Sequence, residues 1–220
     1  GIVYADADID EVLESVKWGI FFNAGQVCSA LSRLLVCRER YDEVIERCVE
    51  LAEGLSVGHG LKNPDLTPVI SETQLSEIEA KIVRANVDGA TIATGGQRLQ
   101  REGYFMAPTI LYNVTPGSEI AQEEIFGPVL CIIPFDSHEE AIEIANDTEF
   151  GLVAGVFTKN LSIAHKSASA LRAGQVFINE WYAGGILTPF GGVGKSGFGR
   201  EKGVEAFYNY VRTKNIAIKL

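Results

Sequence analysis

An uninterrupted apolar run at residues 128–135 limits the folds open to this 220-residue chain more than any other feature. A strand with one face in solvent alternates apolar and polar residues, but this run has no polar position to expose. We therefore predict a strand that is buried on both faces. Such a strand needs helices packed on both sides of its sheet.

Strand and helix patterns alternate along the rest of the chain. Asp8 is a predicted N-cap, followed by apolar residues at helical spacing as far as the break at Gly25. The other predicted helices cover residues 41–51, 72–87, 137–146 and 161–171, and the other predicted strands cover residues 32–37, 90–94, 154–158 and 175–179. This order predicts an α/β fold with an open, mainly parallel, doubly wound sheet.

The last twenty residues have a different pattern. A helix is predicted over about residues 200–211, and an isolated strand over residues 214–220. Because no crossover helix joins this strand to the sheet, we expect it to pair outside its own domain. The chain is thus predicted to form a homo-oligomer, a dimer or a tetramer, through its C-terminal strand.

The formal net charge of −10 argues against a nucleic-acid partner, because phosphate binding needs a basic face. The apolar runs are too short to span a membrane, and the acidic start lacks the features of a signal peptide. A small molecule is the expected partner. Since the chain begins with Gly1 and its only methionine is Met106, we expect it to be part of a longer protein.

The four cysteines, Cys28, Cys37, Cys48 and Cys131, include no CxxC pair and no nearby histidine, so no metal site is predicted. Unpaired thiols favour an intracellular, cytoplasmic location over a disulfide framework. Cys37 and Cys131 lie in apolar runs and are predicted core residues. Cys28 differs, because it follows the break at Gly25 and has small neighbours. A nucleophilic thiol could stand there, although most free cysteines are simply small buried residues.

The segment 122–128 places two adjacent carboxylates, Glu123 and Glu124, directly before the buried strand. On its own it is most simply a solvated acidic loop with Phe126 packed on the core. The functional alternative is that one carboxylate accepts hydrogen bonds from a sugar diol, while Phe126 forms an apolar wall for a flat ring.

The glycine-rich stretch 189–199 partly matches two phosphate-binding patterns, but neither match has its required context. Gly192, Gly194 and Gly197 do not directly follow a strand, and Pro189 stands where a P-loop needs its first glycine. We predict a loop in which the backbone approaches another segment closely.

Trp181 and Tyr182 follow the predicted strand that ends at Asn179. Loops at the carboxyl ends of strands in α/β sheets often line sites. Loop aromatics also pack on a domain without any functional role. Both interpretations stay open for this pair.

Three motifs, in order along the chain, resemble the aldehyde dehydrogenase family. They are Phe-Asn-Ala-Gly-Gln-Val-Cys at 22–28, Glu-Glu-Ile-Phe-Gly-Pro at 123–128, and Asn179 followed by Pro-Phe-Gly-Gly at 189–192, Lys-Ser-Gly at 195–197 and Gly-Arg-Glu at 199–201. The resemblance implies that residues 1–200 are the catalytic domain and that residues 201–220 form a C-terminal helix and an oligomerisation strand. It also implies that the family's N-terminal dinucleotide-binding domain is absent from this chain.

The resemblance further implies oxidation of an aldehyde to a carboxylic acid with NAD or NADP. Cys28 would attack the aldehyde carbonyl to give a thiohemiacetal and then a thioester. Glu124 would bind the nicotinamide ribose, with Phe126 beside it. Further side chains would shape the aldehyde pocket, namely Val27, Ser29, Trp181, Tyr182 and Phe190.

The family's water-activating glutamate and oxyanion-hole asparagine precede the matched region, so the isolated chain is expected to be essentially inactive. The sequence around Cys28, together with Trp181, also resembles the betaine-aldehyde branch. There an aromatic face could hold a quaternary ammonium, although the loop 183–187 lacks that branch's acidic pattern.

Two other functions compete with the enzyme. One is a truncated, non-catalytic assembly module that uses the terminal strand. The other is a cofactor-free cysteine hydrolase. It would need His59, His138 or His165 as a partner, but the sequence predicts these in helices or a turn, as surface residues.

Overall fold

A seven-stranded sheet forms the centre of the structure, a computed structural model that describes all 220 residues. The strands are β1 (Ile2–Val3), β2 (Arg33–Cys37), β3 (Thr91–Thr94), β4 (Thr109–Tyr112), β5 (Val129–Phe135), β6 (Val153–Phe157) and β7 (Gln175–Ile178). They are ordered β3-β4-β5-β2-β1-β6-β7, and only the β3–β4 pair is antiparallel. The predicted α/β fold with an open, mainly parallel sheet is confirmed.

Six α-helices connect or flank these strands. They are α1 (Ile9–Val16), α2 (Tyr41–Gly54), α3 (Glu72–Val87), α4 (Glu119–Gln122), α5 (His138–Asn146) and α6 (Leu161–Ala170). The predicted caps form, because the Asp8 side chain accepts from an amide of α1 and the Ser137 hydroxyl accepts from an amide of α5. None of the helices combines the length and the apolar character needed to cross a bilayer.

Strand β5 is covered on both faces, as its apolar run predicts. Leu130 and Ile132 belong to a core that also contains the apolar sides of α1 and α2. Cys131 and Ile133 point the other way, into a core formed with α3, α4 and α5. Since side chains alternate between the two faces of a strand, both faces of β5 are covered, and six of its seven residues are buried.

The C-terminal tail differs from its helix prediction. The structure has a short 3₁₀ helix, Val204–Asn209, instead of a helix over residues 200–211. Its apolar side chains, including Phe207, find no surface of this chain to pack on, and a short helix without packing is marginal. Residues 211–220 form no strand within the single chain, so pairing with another copy stays a prediction.

The glycine-rich stretch 189–199 is tightly folded, in agreement with its prediction. A Cβ atom added to Gly191 would overlap the carbonyl of Gly199, and one added to Gly174 would overlap the carbonyl of Gly191. The Ser196 hydroxyl accepts from the Gly151 amide at 3.1 Å. The stretch therefore packs against the segments that lead into β6 and β7.

Candidate active site

The segment that carries Cys28 leaves helix α1 through a tight left-handed turn. After α1 the chain forms a π-helical turn (Lys17–Phe21) and a 3₁₀ turn (Phe22–Gly25). Asn23 and Ala24 have φ angles of 51° and 54°, a region that a right-handed helix cannot continue through. The helical path therefore ends here, and Cys28 follows on an exposed turn.

Only Cys28 among the four cysteines presents its thiol to solvent. Burial raises the pKa of Cys48 and of Cys131 to about 12, and it also raises the pKa of Cys37. The backbone N–H of Cys28 makes no hydrogen bond within the protein. No group of three or more His, Cys, Asp or Glu side chains is placed to hold a metal ion. The turn thus offers one accessible sulfur beside one free amide donor.

The two carboxylates of the acidic loop before β5 differ in their hydrogen-bond and ion-pair partners. Glu123 pairs with Lys81 at 2.8 Å, whereas the Glu124 carboxylate has no ionic or hydrogen-bond partner. Phe126 has a φ of 54° and exposes 38% of its surface. The Gln74 amide from α3 donates to the Phe126 carbonyl at 3.0 Å and so fixes the loop. The free carboxylate and the exposed phenyl ring are therefore held side by side.

The cysteine loop (residues 22–28) and the acidic loop (residues 122–128) touch through their backbones. A Cβ atom added to Gly25 would overlap the carbonyl of Gly127 and lie 2.9 Å from the nitrogen of Pro128. Gly25 also has a φ of 72°, which glycine adopts without steric cost. This contact holds Cys28 and Glu124 at neighbouring positions, at the amino ends of β2 and β5.

One cavity of about 350 Å³ joins the two loops, and we call it the thiol cavity. Val27 and Cys28 line it together with Glu124 and Phe126. It runs along the amino ends of β2, β5, β6 and β7. The predicted nucleophile and the predicted ribose-binding carboxylate therefore share one cavity.

Trp181 folds back from the end of β7 onto the cysteine loop and lines the thiol cavity. Its indole N–H donates to the Ser29 carbonyl at 3.1 Å, and its ring covers Gly155. Tyr182 lies beside it. Burial raises the pKa of Tyr182, and negative charge at Cys28 adds to that rise. The two aromatic side chains therefore form a wall next to the thiol.

Three predicted pocket residues, Ser29, Tyr182 and Phe190, do not line the thiol cavity. Ser29 is 7% exposed, and its carbonyl accepts from the Trp181 indole. Phe190 is held on the glycine-rich stretch, where its amide and carbonyl each bond to Glu201 at 2.7 Å. Their contacts with a substrate stay predictions.

The structure adds residues that no sequence pattern singled out. Arg33 lines the thiol cavity and donates to the carbonyls of Ile144 and Ala145 at 3.3 and 3.0 Å. Burial lowers the pKa of its guanidinium. An arginine at the start of a strand gives no sign in the sequence that it will line a cavity. Gln74 lies far along the chain from the loop that it fixes, and its position in α3 looks like that of any polar helix residue.

Comparison with known proteins identifies the family that the three sequence motifs resemble. The sequence model of the aldehyde dehydrogenase family matches residues 1–216. The chain belongs to the aldehyde dehydrogenase family. It is 45% identical over 220 residues to an aldehyde dehydrogenase of Alternaria alternata, covering 100% of this chain and 44% of that relative. It is 40% identical over 218 residues to the chloroplastic betaine aldehyde dehydrogenase of Beta vulgaris, covering 98% of this chain and 44% of that relative.

Solved aldehyde dehydrogenases have the same fold. The NAD+ complex of an aldehyde dehydrogenase from Bacillus cereus superimposes with a TM-score of 0.92 at 42% identity, covering 96% of this chain and 43% of that one. The chain thus spans less than half the length of the aldehyde dehydrogenases that it matches.

Proposed function

We propose that the protein carrying this chain oxidises aldehydes to carboxylic acids with NAD or NADP, and that Cys28 is the nucleophile. The observation that carries the proposal is the thiol cavity, which is lined both by Cys28, the one exposed cysteine, and by Glu124, whose carboxylate has no partner. Membership of the aldehyde dehydrogenase family supports the same chemistry.

The chain's residues fit the nicotinamide end of the cofactor. The Glu124 carboxylate is unpaired and can accept from the two hydroxyls of a ribose, and the exposed Phe126 ring offers a flat apolar surface beside it. The bound cofactor would accept a hydride from the substrate carbon. The fixed left-handed backbone at Phe126 keeps both groups oriented before anything binds.

Cys28 would supply the covalent step. Its sulfur attacks the aldehyde carbon, and the carbonyl oxygen becomes an anion that the free Cys28 amide can stabilise. After the hydride leaves, the substrate is held as a thioester on the same sulfur. Water then releases the carboxylic acid and returns the thiol. The groups that activate this water and complete the oxyanion hole are expected outside the 220 residues.

The test uses the full protein and follows the absorbance of reduced nicotinamide with a simple aliphatic aldehyde. Cys28→Ala should lower kcat by at least about 10³-fold, since the covalent route is lost. Cys48→Ala is the matched control, because that thiol is buried on α2 and should leave the rate within about threefold. Unchanged turnover in Cys28→Ala would remove the proposed nucleophile. An inactive wild type would favour the assembly module instead.

The cofactor-free hydrolase gains no support from the structure. His59, His138 and His165 do not line the thiol cavity, and His138 is already hydrogen-bonded to the Tyr4 hydroxyl at 2.7 Å. A thioesterase of this kind needs a base within reach of its sulfur.

We also propose a homo-oligomer, a dimer or a tetramer, through residues 214–220. Ile216 and Ile218 lie two positions apart and expose 72% and 77% of their surfaces, so a strand formed here would present both to a partner on one face. Removal of residues 214–220 should lower the mass measured by light scattering, and an unchanged mass would contradict the proposal.

The four free thiols favour a cytoplasmic location, which subcellular fractionation can test.

A further inference from the structure

Gln26 lies two positions before Cys28, and its side chain joins the cysteine loop to the start of α3. Its amide oxygen accepts from the backbone N–H of Ile70 at 2.8 Å. Its amide nitrogen donates to the Asn23 carbonyl at 3.3 Å. Gln26 and Ile70 are 44 positions apart in the sequence, so the first of these bonds is a tertiary contact. One side chain thus connects the turn before the nucleophile to a distant element.

The turn on the Gln26 side of this bond is closed by further hydrogen bonds. The Gln26 backbone N–H donates to the Asn23 carbonyl at 3.1 Å, and the Asn23 side-chain amide donates to the Gln26 carbonyl at 3.0 Å. These bonds stabilise a stretch in which Asn23, Ala24 and Gly25 all have positive φ angles. The turn is therefore fixed internally, and the bond to Ile70 fixes it relative to α3.

The Ile70 end of the bond is held in place as well. Val69 is 2% exposed, and its N–H donates to the Tyr104 carbonyl at 2.9 Å. Ser71 caps α3, because its hydroxyl accepts from the backbone N–H of Gln74 at 3.1 Å. The residues on both sides of Ile70 are thus bound to the fold.

The start of α3 also holds the acidic loop. The Gln74 side-chain amide donates to the carbonyls of Ile125 and Phe126, each at 3.0 Å. Both loops are therefore bonded to residues 70–74. Because Glu124 belongs to the acidic loop, the bond made by Gln26 helps to set the distance between the Glu124 carboxylate and the Cys28 sulfur.

Hydrogen bonds fix the chain on both sides of Cys28. Before it, the Gln26 side chain is bonded to Ile70. After it, the Ser29 carbonyl accepts from the Trp181 indole at 3.1 Å. A reacting group that is displaced by about 1 Å can lose about 10²-fold in rate. Loss of the bond on one side should therefore slow a reaction at this sulfur.

Gln26 does not line the thiol cavity, whereas Gly25, Val27 and Cys28 do. Replacing its amide therefore removes no contact that a substrate or cofactor could make there. The bond to Ile70 lies at the surface, and the Ile70 side chain is 78% exposed. Water can take the place of the lost acceptor, so the cost in folding stability should be small.

We propose that Gln26 is a positioning residue, which orients Cys28 for its attack on the aldehyde by bonding the cysteine loop to the start of α3. This inference rests on the proposed aldehyde oxidation and adds a residue to it. Gln26 contacts neither the aldehyde nor the cofactor, and it acts through Cys28. Its loss should slow the covalent step and leave cofactor binding and folding nearly unchanged.

The experiment measures how fast the full protein forms reduced nicotinamide in a single turnover, because this rate reports the attack and the hydride transfer together. Gln26→Met keeps the length of the side chain and removes both amide groups, so the rate should fall by about 10–100-fold. The KM for the cofactor should stay within about twofold of the wild type, since uniform binding is not changed. Urea unfolding should also resemble that of the wild type.

Gln26→Glu tests the bond to Ile70 directly. Its carboxylate can still accept from the Ile70 N–H, and the Asn23 carbonyl keeps its backbone donor. The single-turnover rate of this variant should therefore be within about fivefold of the wild type. Rates are compared at the alkaline plateau of the pH profile, since the added charge disfavours the Cys28 thiolate. Gln100→Met is the matched control, because that glutamine is exposed and its side chain makes no hydrogen bond.

The results distinguish this role from a structural one and from the proposed function. A wild-type rate in Gln26→Met would overturn the proposal. So would a Gln26→Glu variant that is as slow as Gln26→Met, because the bond to Ile70 would then not account for the loss. Gln26→Met that unfolds as readily as it loses activity would make the role structural and overturn it too. A wild type that reduces no nicotinamide would overturn the proposed function, and this role with it.

Discussion

Replacing Gly25 with alanine should damage both the stability and the activity of this protein. The new Cβ would overlap the Gly127 carbonyl and lie 2.9 Å from the Pro128 nitrogen, and backbone atoms cannot rotate away as a side chain does. An alanine at a φ of 72° costs about 1–2 kcal/mol, and overpacking typically adds about 1–3 kcal/mol. We therefore expect the free energy of unfolding to fall by about 2–5 kcal/mol.

The same substitution should separate the cysteine loop from the acidic loop. A displacement of about 1 Å at a reacting group can cost about 10²-fold in rate, so kcat/KM of the full protein should fall by that order. Urea unfolding measures the first effect, and reduced-nicotinamide absorbance measures the second.

Gly54→Ala is the matched control for this experiment. Gly54 ends α2, and no atom lies within 4 Å of the position that an alanine methyl would take there. Its replacement should therefore be neutral or stabilise by up to about 1 kcal/mol. If Gly25→Ala behaves like Gly54→Ala in both assays, the backbone contact does not hold the site together.

Two further predictions concern the thiols and the ion pair between Asp65 and Lys17. Iodoacetamide should modify one cysteine of the native protein within this chain, Cys28, and all four in denaturant, as peptide mass spectrometry can show; labelling of a buried thiol at a similar rate would contradict the structure. Asp65→Asn should lower the free energy of unfolding near pH 7 by about 1 kcal/mol, because hydrogen bonds from Ser56 and the ion pair with Lys17 hold the pKa of Asp65 at about 2. Since this folded pKa lies below the unfolded value, the contribution is present above about pH 4 and disappears as the pH falls towards 2; a constant difference in urea unfolding over that range would refute it.

Long patterned elements of this fold were predictable because their signals are local. Helix α3 has the bounds that its periodicity predicts, and β5 is buried on both faces as its composition requires. Strand β1 has only two residues, too few to show a pattern, and β4 was not predicted either. Both become strands through pairing with distant segments, which the sequence does not reveal.

The candidate site was predictable where chemistry selects the residue type. The position of Cys28 after the break at Gly25 marked it as a candidate, and the resemblance to the family selected Glu124; both residues line one cavity. The contact between Gly25 and Gly127 was not predictable, since it depends on how two loops meet across the sheet.

The position of Trp181 as a common wall has a consequence for how related enzymes can diverge. A substitution there alters the thiol cavity together with a second cavity, of about 410 Å³, on the other side of the indole ring. Glu14 and Trp18, on α1 and the turn that follows it, line only the second cavity. Substitutions in that segment can therefore reshape the second cavity while the lining of the thiol cavity is unchanged.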